Sequence, residues 1–243
     1  MTLATLTSKN FVLFKASRPF SIFVCFFLLG NGMLHSQMTG TSILLHLAFL
    51  IFTFSIPVSI SKCNNSLVCY YAHLSLYVVA FGVNDIYDYE TDRRNPRKLA
   101  VGVEGGVLHP VHHKDVLVAS YISTVIILLC TLAYEHHNIL ATIGIVIIAW
   151  QYSSPPLRIK EIPFLDSISN GCLVFLIWFY GFSLSGLSIS EVPLKVVVSH
   201  LAIVGAHALG AVVDYEADTA VGLTTIATAI GKRRAAIFAV VCL

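Results

Sequence analysis

VLVASYISTVIILLCT, the stretch from Val116 to Thr131, contains no charged residue, no glycine and no proline. A strand of a transmembrane β-barrel alternates between its lipid and lumen faces, and this run does not alternate. A helix pairs its own backbone groups inside lipid, so it is the structure such a run demands. Similar runs recur in both directions along the chain. Spans are expected at roughly Phe20 to Leu34, Ser42 to Ile60, Leu67 to Val83, Val116 to Ala133, Ile139 to Trp150, Ile168 to Leu187 and Val196 to Val213, with another beginning at Ala235. That last run holds nine residues, too few for the ~20 a spanning helix needs, so the chain is expected to stop before its fold does.

Composition leads to the same class. Of 243 residues, 56% are hydrophobic and 12% charged, with a mean hydropathy of +0.80. Soluble domains carry about 25% charged residues, so this polar inventory cannot cover a water-facing surface. Disorder and a secreted disulfide scaffold fit poorly, and a net charge of +2 is too slight to imply an anionic polymer as partner. The expected fold is all-α, one polytopic transmembrane helical bundle over residues 1–243. No C-x-x-C pair occurs among the six cysteines, and Cys25, Cys130, Cys172 and Cys242 inside apolar runs read as small packing residues. The first apolar run begins only near Phe20 and no small-x-small site follows it, so no cleavable signal peptide is expected.

Basic residues are unevenly shared among the connections. Lys9, Lys15 and Arg18 precede the first run; Arg93, Arg94, Arg97, Lys98 and Lys114 follow Val83; Arg158 and Lys160 follow Trp150; Lys232, Arg233 and Arg234 follow the seventh run. The connections Glu135 to Asn138 and Leu187 to Lys195 hold none and one. The positive-inside rule makes the first group of loops cytoplasmic. A cytoplasmic amino end and a cytoplasmic Asp85 require an even number of crossings, yet three runs lie between them. One run must therefore not span. Ser59 to Leu74, with Lys62, Asn64, Asn65 and His73, is expected to be an insertion in a helix that otherwise joins Ser42–Val58 to Ser75–Val83.

Seven of the 13 carboxylates fall in two short clusters, Asp85, Asp88, Glu90 and Asp92 in NDIYDYETD and Asp214, Glu216 and Asp218 in DYEAD. On helices, Asp85, Asp88 and Asp92 share one face, as do Asp214 and Asp218. Like charges stacked at a membrane interface need a cation, and oxygen-only ligands suit a hard ion such as Mg²⁺. Mg²⁺ commonly binds one or two carboxylates plus substrate phosphates, which makes a diphosphate the natural third party. The bland alternative is two solvated helix ends. Against it, both clusters end apolar runs and four crossings separate them, so both face one side of the membrane. Arg158 and Lys160 in YSSPPLRIKE share that side and can neutralise a diphosphate leaving group. For Arg93 to Lys98, topology signal and lipid headgroup contact are the expected roles.

At these residues the chain resembles the UbiA superfamily of intramembrane prenyltransferases, whose signatures are N-D-x-x-D-x-x-x-D and D-x-x-x-D. They read here as Asn84-Asp85-x-x-Asp88-x-x-x-Asp92 and Asp214-x-x-x-Asp218. Arg18-Pro19, Asn95-Pro96-Arg97-Lys98, Tyr152-Ser153-x-Pro155-Pro156-Leu157-Arg158-x-Lys160, Gly222-x-x-Thr225 and Gly231-Lys232 match as well, so the likeness runs from Arg18 to Lys232. GVNDIYDYETDRRNPRK and YSSPPLRIKEIPFLDSISNG are most similar to the branch of lycopene-elongase-like and related carotenoid or lipid prenyltransferases. The resemblance implies a nine-helix bundle around a cavity open to lipid, and this chain is expected to lack the last one or two of those helices. It also implies two Mg²⁺ between the motifs and a polyprenyl diphosphate, with the prenyl group passed to a hydrophobic acceptor.

Roles follow from the resemblance. Asp85, Asp88 and Asp92 would hold one Mg²⁺ and Asp214 and Asp218 the other, as Lewis acids on the leaving diphosphate. Asn84 would add an amide contact, and Arg18, Arg158 and Lys160 would bind diphosphate oxygens. Tyr152 would face the allylic cation with its ring or serve as an interfacial belt residue. Among ten histidines, His207, ahead of Asp214, is the candidate for lining the cavity. Two alternatives remain open: a terpene cyclase on the same fold, and a non-catalytic carrier or assembly protein. A CDP-alcohol phosphotransferase would carry D-G-x-x-A-R, which this sequence lacks.

Overall fold

Uncharged runs become helices at every expected place but one. In a computed structural model that describes residues 12, 15–16, 18, 22–38, 40–57, 60–63, 66–69, 73–94 and 107–243, the chain begins with α1 (Ile22–His35) and α2 (Gly40–Phe54). Expectations placed on Lys9, Pro19, Asn64, Asn65 and Asn95 to Lys98 lie outside the described residues.

The exception is the run from Leu67. Four short strands, β1 (Ser55–Pro57), β2 (Ile60–Cys63), β3 (Ser66–Cys69) and β4 (His73–Ser75), stand at the start of that run and across the stretch Ser59 to Leu74 read as an insertion. They form two antiparallel pairs, with Ser55 opposite Ser75 and Ile60 opposite Cys69. Alternation of serine with β-branched residues after Phe54 suits a strand, and Pro57 cannot supply the N–H that a continuing helix needs. The pairing returns the chain at Ser75 to where it left α2.

Helix resumes at Leu76 and passes through a π turn, Val78–Gly82, into α3 (Val83–Tyr87) and α4 (Tyr89–Asp92). The buried Ser120 hydroxyl lies 3.1 Å from the Val78 carbonyl and 2.9 Å from that of Val116, so a neighbouring helix supplies a donor to the widened turn. Gly82 permits this closeness, since a Cβ there would meet Val116 Cγ1 at 2.7 Å.

Then come α5 (His113–Thr131), α6 (His136–Gln151), α7 (Leu165–Ser183) and α8 (Leu194–Val213), joined by short connections. Three described segments, Pro110–Thr131, Leu165–Ser183 and Leu194–Val213, are long and apolar enough to cross a membrane. The fold is an all-α transmembrane bundle. Its main core joins α1 to α5, α6 and α7 through Leu29, Met33, Ile127, Ile145, Trp178 and Phe182.

Lipid offers little hydrophobic drive for helices to associate, so close packing and interhelical hydrogen bonds take over. Asn138 donates to the Tyr180 carbonyl at 2.9 Å and to Ser183 Oγ at 3.0 Å. Trp150 donates to Thr124, and Trp178 to Asn31, both at 2.9 Å.

After α8 the chain forms α9 (Tyr215–Val221), α10 (Ile226–Ile230) and α11 (Lys232–Cys242). Gly222, at φ 72°, ends α9 in the left-handed conformation that glycine adopts without strain. Alanines at 208, 211, 235 and 239, with Ile226, bind this end of the chain to α8.

Candidate functional site

Asp85, Asp88 and Asp92 lie 2%, 7% and 8% exposed, whereas Glu90 in the same motif is exposed. The expected single face is therefore turned inward. Asp88 sits between α3 and α4 at φ −99° and ψ 0°, yet the Asp92 N–H still donates to its carbonyl at 2.7 Å, which keeps the face continuous. Glu90 pairs outward with Arg93 and Arg94.

Two of the buried acids, Asp85 and Asp88, each meet a cation. Arg18 Nη2 donates to Asp85 Oδ1 at 3.0 Å and its guanidinium lies 4.1 Å from the centre of the Phe81 ring. Lys160, 7% exposed, forms an ion pair with Asp88 Oδ1. Asn84 Nδ2 donates to Asp88 Oδ2 at 2.6 Å and to Ser153 Oγ at 2.8 Å. Ser153 and Lys160 belong to the turn between α6 and α7, whose shape is held by the Lys160 N–H on the Tyr152 carbonyl at 3.0 Å.

Asp214 caps the end of α8, and Asp218 lies one turn on in α9, each half-buried. Glu216 points outward to Lys232 at 2.8 Å. Lys160, paired with Asp88, lies within electrostatic reach of Asp218. Burial pushes its ammonium down to about 8, while the carboxylates of Glu161 and Asp218 oppose that fall. One lysine thus bonds Asp88 of the first motif and feels the charge of Asp218 of the second.

Arg158 is placed differently. At φ 44° its side chain turns to Glu161, with Nε 2.9 Å from Oε1, and it is not among the residues that line the cavity. The i,i+3 acid in the same short turn captures it.

Below the carboxylates lies a cavity of about 500 Å³ between α1, the π turn, α6, α7 and α8. Arg18, Asn84, Tyr152, Asn170 and His207 line its polar part; Leu28, Leu76, Ile148, Leu173 and Ile177 are among the apolar walls. Tyr152 Oη is 3.1 Å from His207 Nε2, and His207 Nδ1 is 3.2 Å from Ser167 Oγ.

Sequence reading missed Asp166 and Ser153. Asp166 is 1% exposed; its Oδ1 accepts from the Ser167 N–H at 2.7 Å and its Oδ2 from the Ile226 N–H at 3.1 Å, so it anchors the segment that follows the second motif. A lone acid in the first turn of an apolar helix was the available signal.

Among the described residues no three His, Cys, Asp or Glu side chains gather closely enough to enclose an ion alone. The donors present are carboxylates and an amide, the oxygen chemistry of a hard cation that takes one or two carboxylates and completes its shell with phosphate. Mg²⁺ fits that donor set.

The fold and site together define a helical transmembrane bundle with an apolar chamber beneath buried carboxylates that pair with Arg18 and Lys160. The chain belongs to the UbiA prenyltransferase family, whose model matches residues 64–243. It is 37% identical over 166 residues to the C(50) beta-cyclic carotenoids biosynthesis protein LbtBC of Dietzia sp. (strain CQ4), covering 67% of this chain and 38% of that protein. It is 35% identical over 162 residues to a lycopene elongase/hydratase of Corynebacterium glutamicum, covering 65% of this chain and 55% of that protein. This chain therefore spans about half or less of the length of these relatives. A UbiA homolog from Archaeoglobus fulgidus bound to GPP and Mg²⁺ shares the fold, with a TM-score of 0.69 at 21% identity over 95% of this chain and 73% of that one.

Proposed function

We propose that the protein transfers a prenyl group from a polyprenyl diphosphate to a hydrophobic acceptor within the membrane, in a Mg²⁺-dependent reaction. The observation that carries this reading is the junction at Asp88, where Asn84 and Lys160 meet one buried carboxylate above an apolar chamber. The relatives named for lycopene elongation and C(50) carotenoid synthesis support a polyene as the acceptor.

Asp85, Asp88 and Asp92 would hold one Mg²⁺ and Asp214 and Asp218 a second. Bound there, the ions supply Lewis-acid stabilisation of the departing diphosphate. Arg18 and Lys160 would add donors to the diphosphate oxygens, since both stand at the carboxylate rim. Asn84 orients the rim through Ser153. Arg158 contributes from the outer turn, and its bond to Glu161 fixes the turn that carries Lys160. The Tyr152 ring faces the chamber, where attraction for a carbocation is worth about 0.5–2 kcal/mol. The apolar walls exclude water, which would destroy that cation, and bury the prenyl tail at ~0.8 kcal/mol per methylene. The distribution of basic loops favours the cytoplasmic side for the rim.

Purified protein incubated with prenyl diphosphates of several lengths, Mg²⁺ and lycopene or a membrane lipid extract should yield a prenylated product identified by mass. Asp88→Ala or Asp214→Ala should abolish Mg²⁺-dependent turnover and leave membrane insertion intact. Turnover retained in either variant removes the metal assignment, and a cyclised prenyl chain formed without acceptor replaces transfer with cyclisation.

A further inference from the structure

Every turnover of the reaction proposed above, on which this inference rests, must release one proton. When an allylic cation forms its new bond to a C–H or O–H acceptor, or to water, the acceptor's proton departs and its bonding electrons remain in the product. A chamber sunk in hydrocarbon has no bulk water to receive that proton. Among the described lining side chains, Arg18 offers no acceptor, and the amides of Asn84 and Asn170 are feeble bases. His207 is the one imidazole among them.

Two contacts fix its ring. With the ring proton on Nδ1, His207 donates to Ser167 Oγ at 3.2 Å, and Nε2 is left to accept the Tyr152 O–H at 3.1 Å. The rings stand at 84° to each other, so the phenol meets the imidazole at its edge, where the lone pair lies. Tyr152 directly precedes Ser153, which Asn84 contacts at the carboxylate rim. The phenol therefore stands where the polar rim gives way to the apolar chamber.

We infer that Tyr152 and His207 form the exit for that proton. A C–H or O–H bond of the prenylated cation breaks and its electron pair stays in the product. The proton passes to Tyr152 Oη as the phenol's own proton passes to His207 Nε2. The resulting imidazolium keeps its Nδ1–H on Ser167. Tyr152 is the catalytic residue of the pair, and His207 acts through it.

The test measures diphosphate release and prenylated product together, with GPP as donor, Mg²⁺, and lycopene in detergent as acceptor. His207→Gln and Tyr152→Phe should each lower product formation roughly 100-fold or more, the usual range for a lost proton acceptor, with KM for GPP little changed. Added imidazole should restore turnover to His207→Ala, which a purely structural role would not allow. Tyr152→Phe keeps the ring, so full activity in that variant overturns the relay and leaves only ring attraction for the cation. Full activity of His207→Gln, or His207→Ala inactive and indifferent to imidazole, overturns the relay alone. Wild-type protein that releases no diphosphate overturns both this inference and the transfer reaction beneath it.

Discussion

Alanine at Gly181 probes the crossing of α1 and α7 that forms one wall of the chamber. A Cβ on Gly181 would lie 2.2 Å from the Leu29 carbonyl oxygen and 2.9 Å from its carbon. On the facing helix, a Cβ on Gly32 would lie 2.2 Å from the Trp178 oxygen and 2.8 Å from the Phe182 nitrogen. All four are backbone atoms, so no rotamer change relieves the clash. Carbon reaches favourable contact only near ~3.5 Å, so the helices must part by roughly 1 Å. Overpacking of this kind costs about 1–3 kcal/mol. Separation also strains the 2.9 Å bond from Trp178 to Asn31, worth about 0.5–1.5 kcal/mol net. Together these predict a loss of roughly 2–4 kcal/mol, which for a chain this size lowers Tm by about 4–16 °C. Thermal melting of purified protein in detergent, followed by tryptophan fluorescence, reads the effect directly because Trp178 sits in the crossing. The double variant with Gly32→Ala should lose less than the sum, since one separation accommodates both carbons. A Gly181→Ala protein that melts with the wild type would refute the close crossing.

Asp166→Asn should lower Tm by leaving one buried N–H, on Ser167 or Ile226, without an acceptor, at about 1–3 kcal/mol; unchanged melting would show that the carboxylate does not hold both. Lys160→Met should cost about 3–5 kcal/mol by stranding Asp88, and adding Asp88→Asn should recover much of the melting temperature without recovering turnover. Arg158→Met, whose side chain is 29% exposed and pairs only with its local acid among the bonds described, should shift stability by less than ~1 kcal/mol in the same assay.

How far the sequence could be read depends on the range of the interaction. Continuous apolar runs such as Val116–Thr131 specify helices through backbone pairing alone, so four helices between the motifs were legible, and with them the common side of Asp88 and Lys160. The i, i+3, i+7 spacing of Asp85, Asp88 and Asp92 likewise put them on one face, whose inward turn shows only in their burial. The strands between Ser55 and Ser75 were not legible as strands, because a short run of serine and β-branched residues inside apolar sequence satisfies strand and helix periodicities equally. The π turn at Val78–Gly82 adds a residue to one turn without any change in composition. Arg158 looked like a ligand donor by position, but Glu161 three residues on competes for it, and only coordinates decide between a local and a distant partner.

The remaining illegible part is the contact between Tyr152 and His207, which are 55 positions apart and on different helices. Its placement gives the chamber a gradient: ionised groups at the rim, a neutral hydrogen-bonded pair beneath, and hydrocarbon walls beyond. On the proposed reaction each layer meets a different species. Diphosphate needs charge, so it stays at Arg18 and Lys160. The cation needs polarisable surface without nucleophiles, which the Tyr152 ring offers. The proton needs a base shielded from the rim's cations, since a second positive charge beside Lys160 would be repelled. An imidazole at the rim would be held protonated by the clustered carboxylates and useless as an acceptor. One placed below them, held between Tyr152 and Ser167, is set apart from the rim's charges and lies where the proton is released.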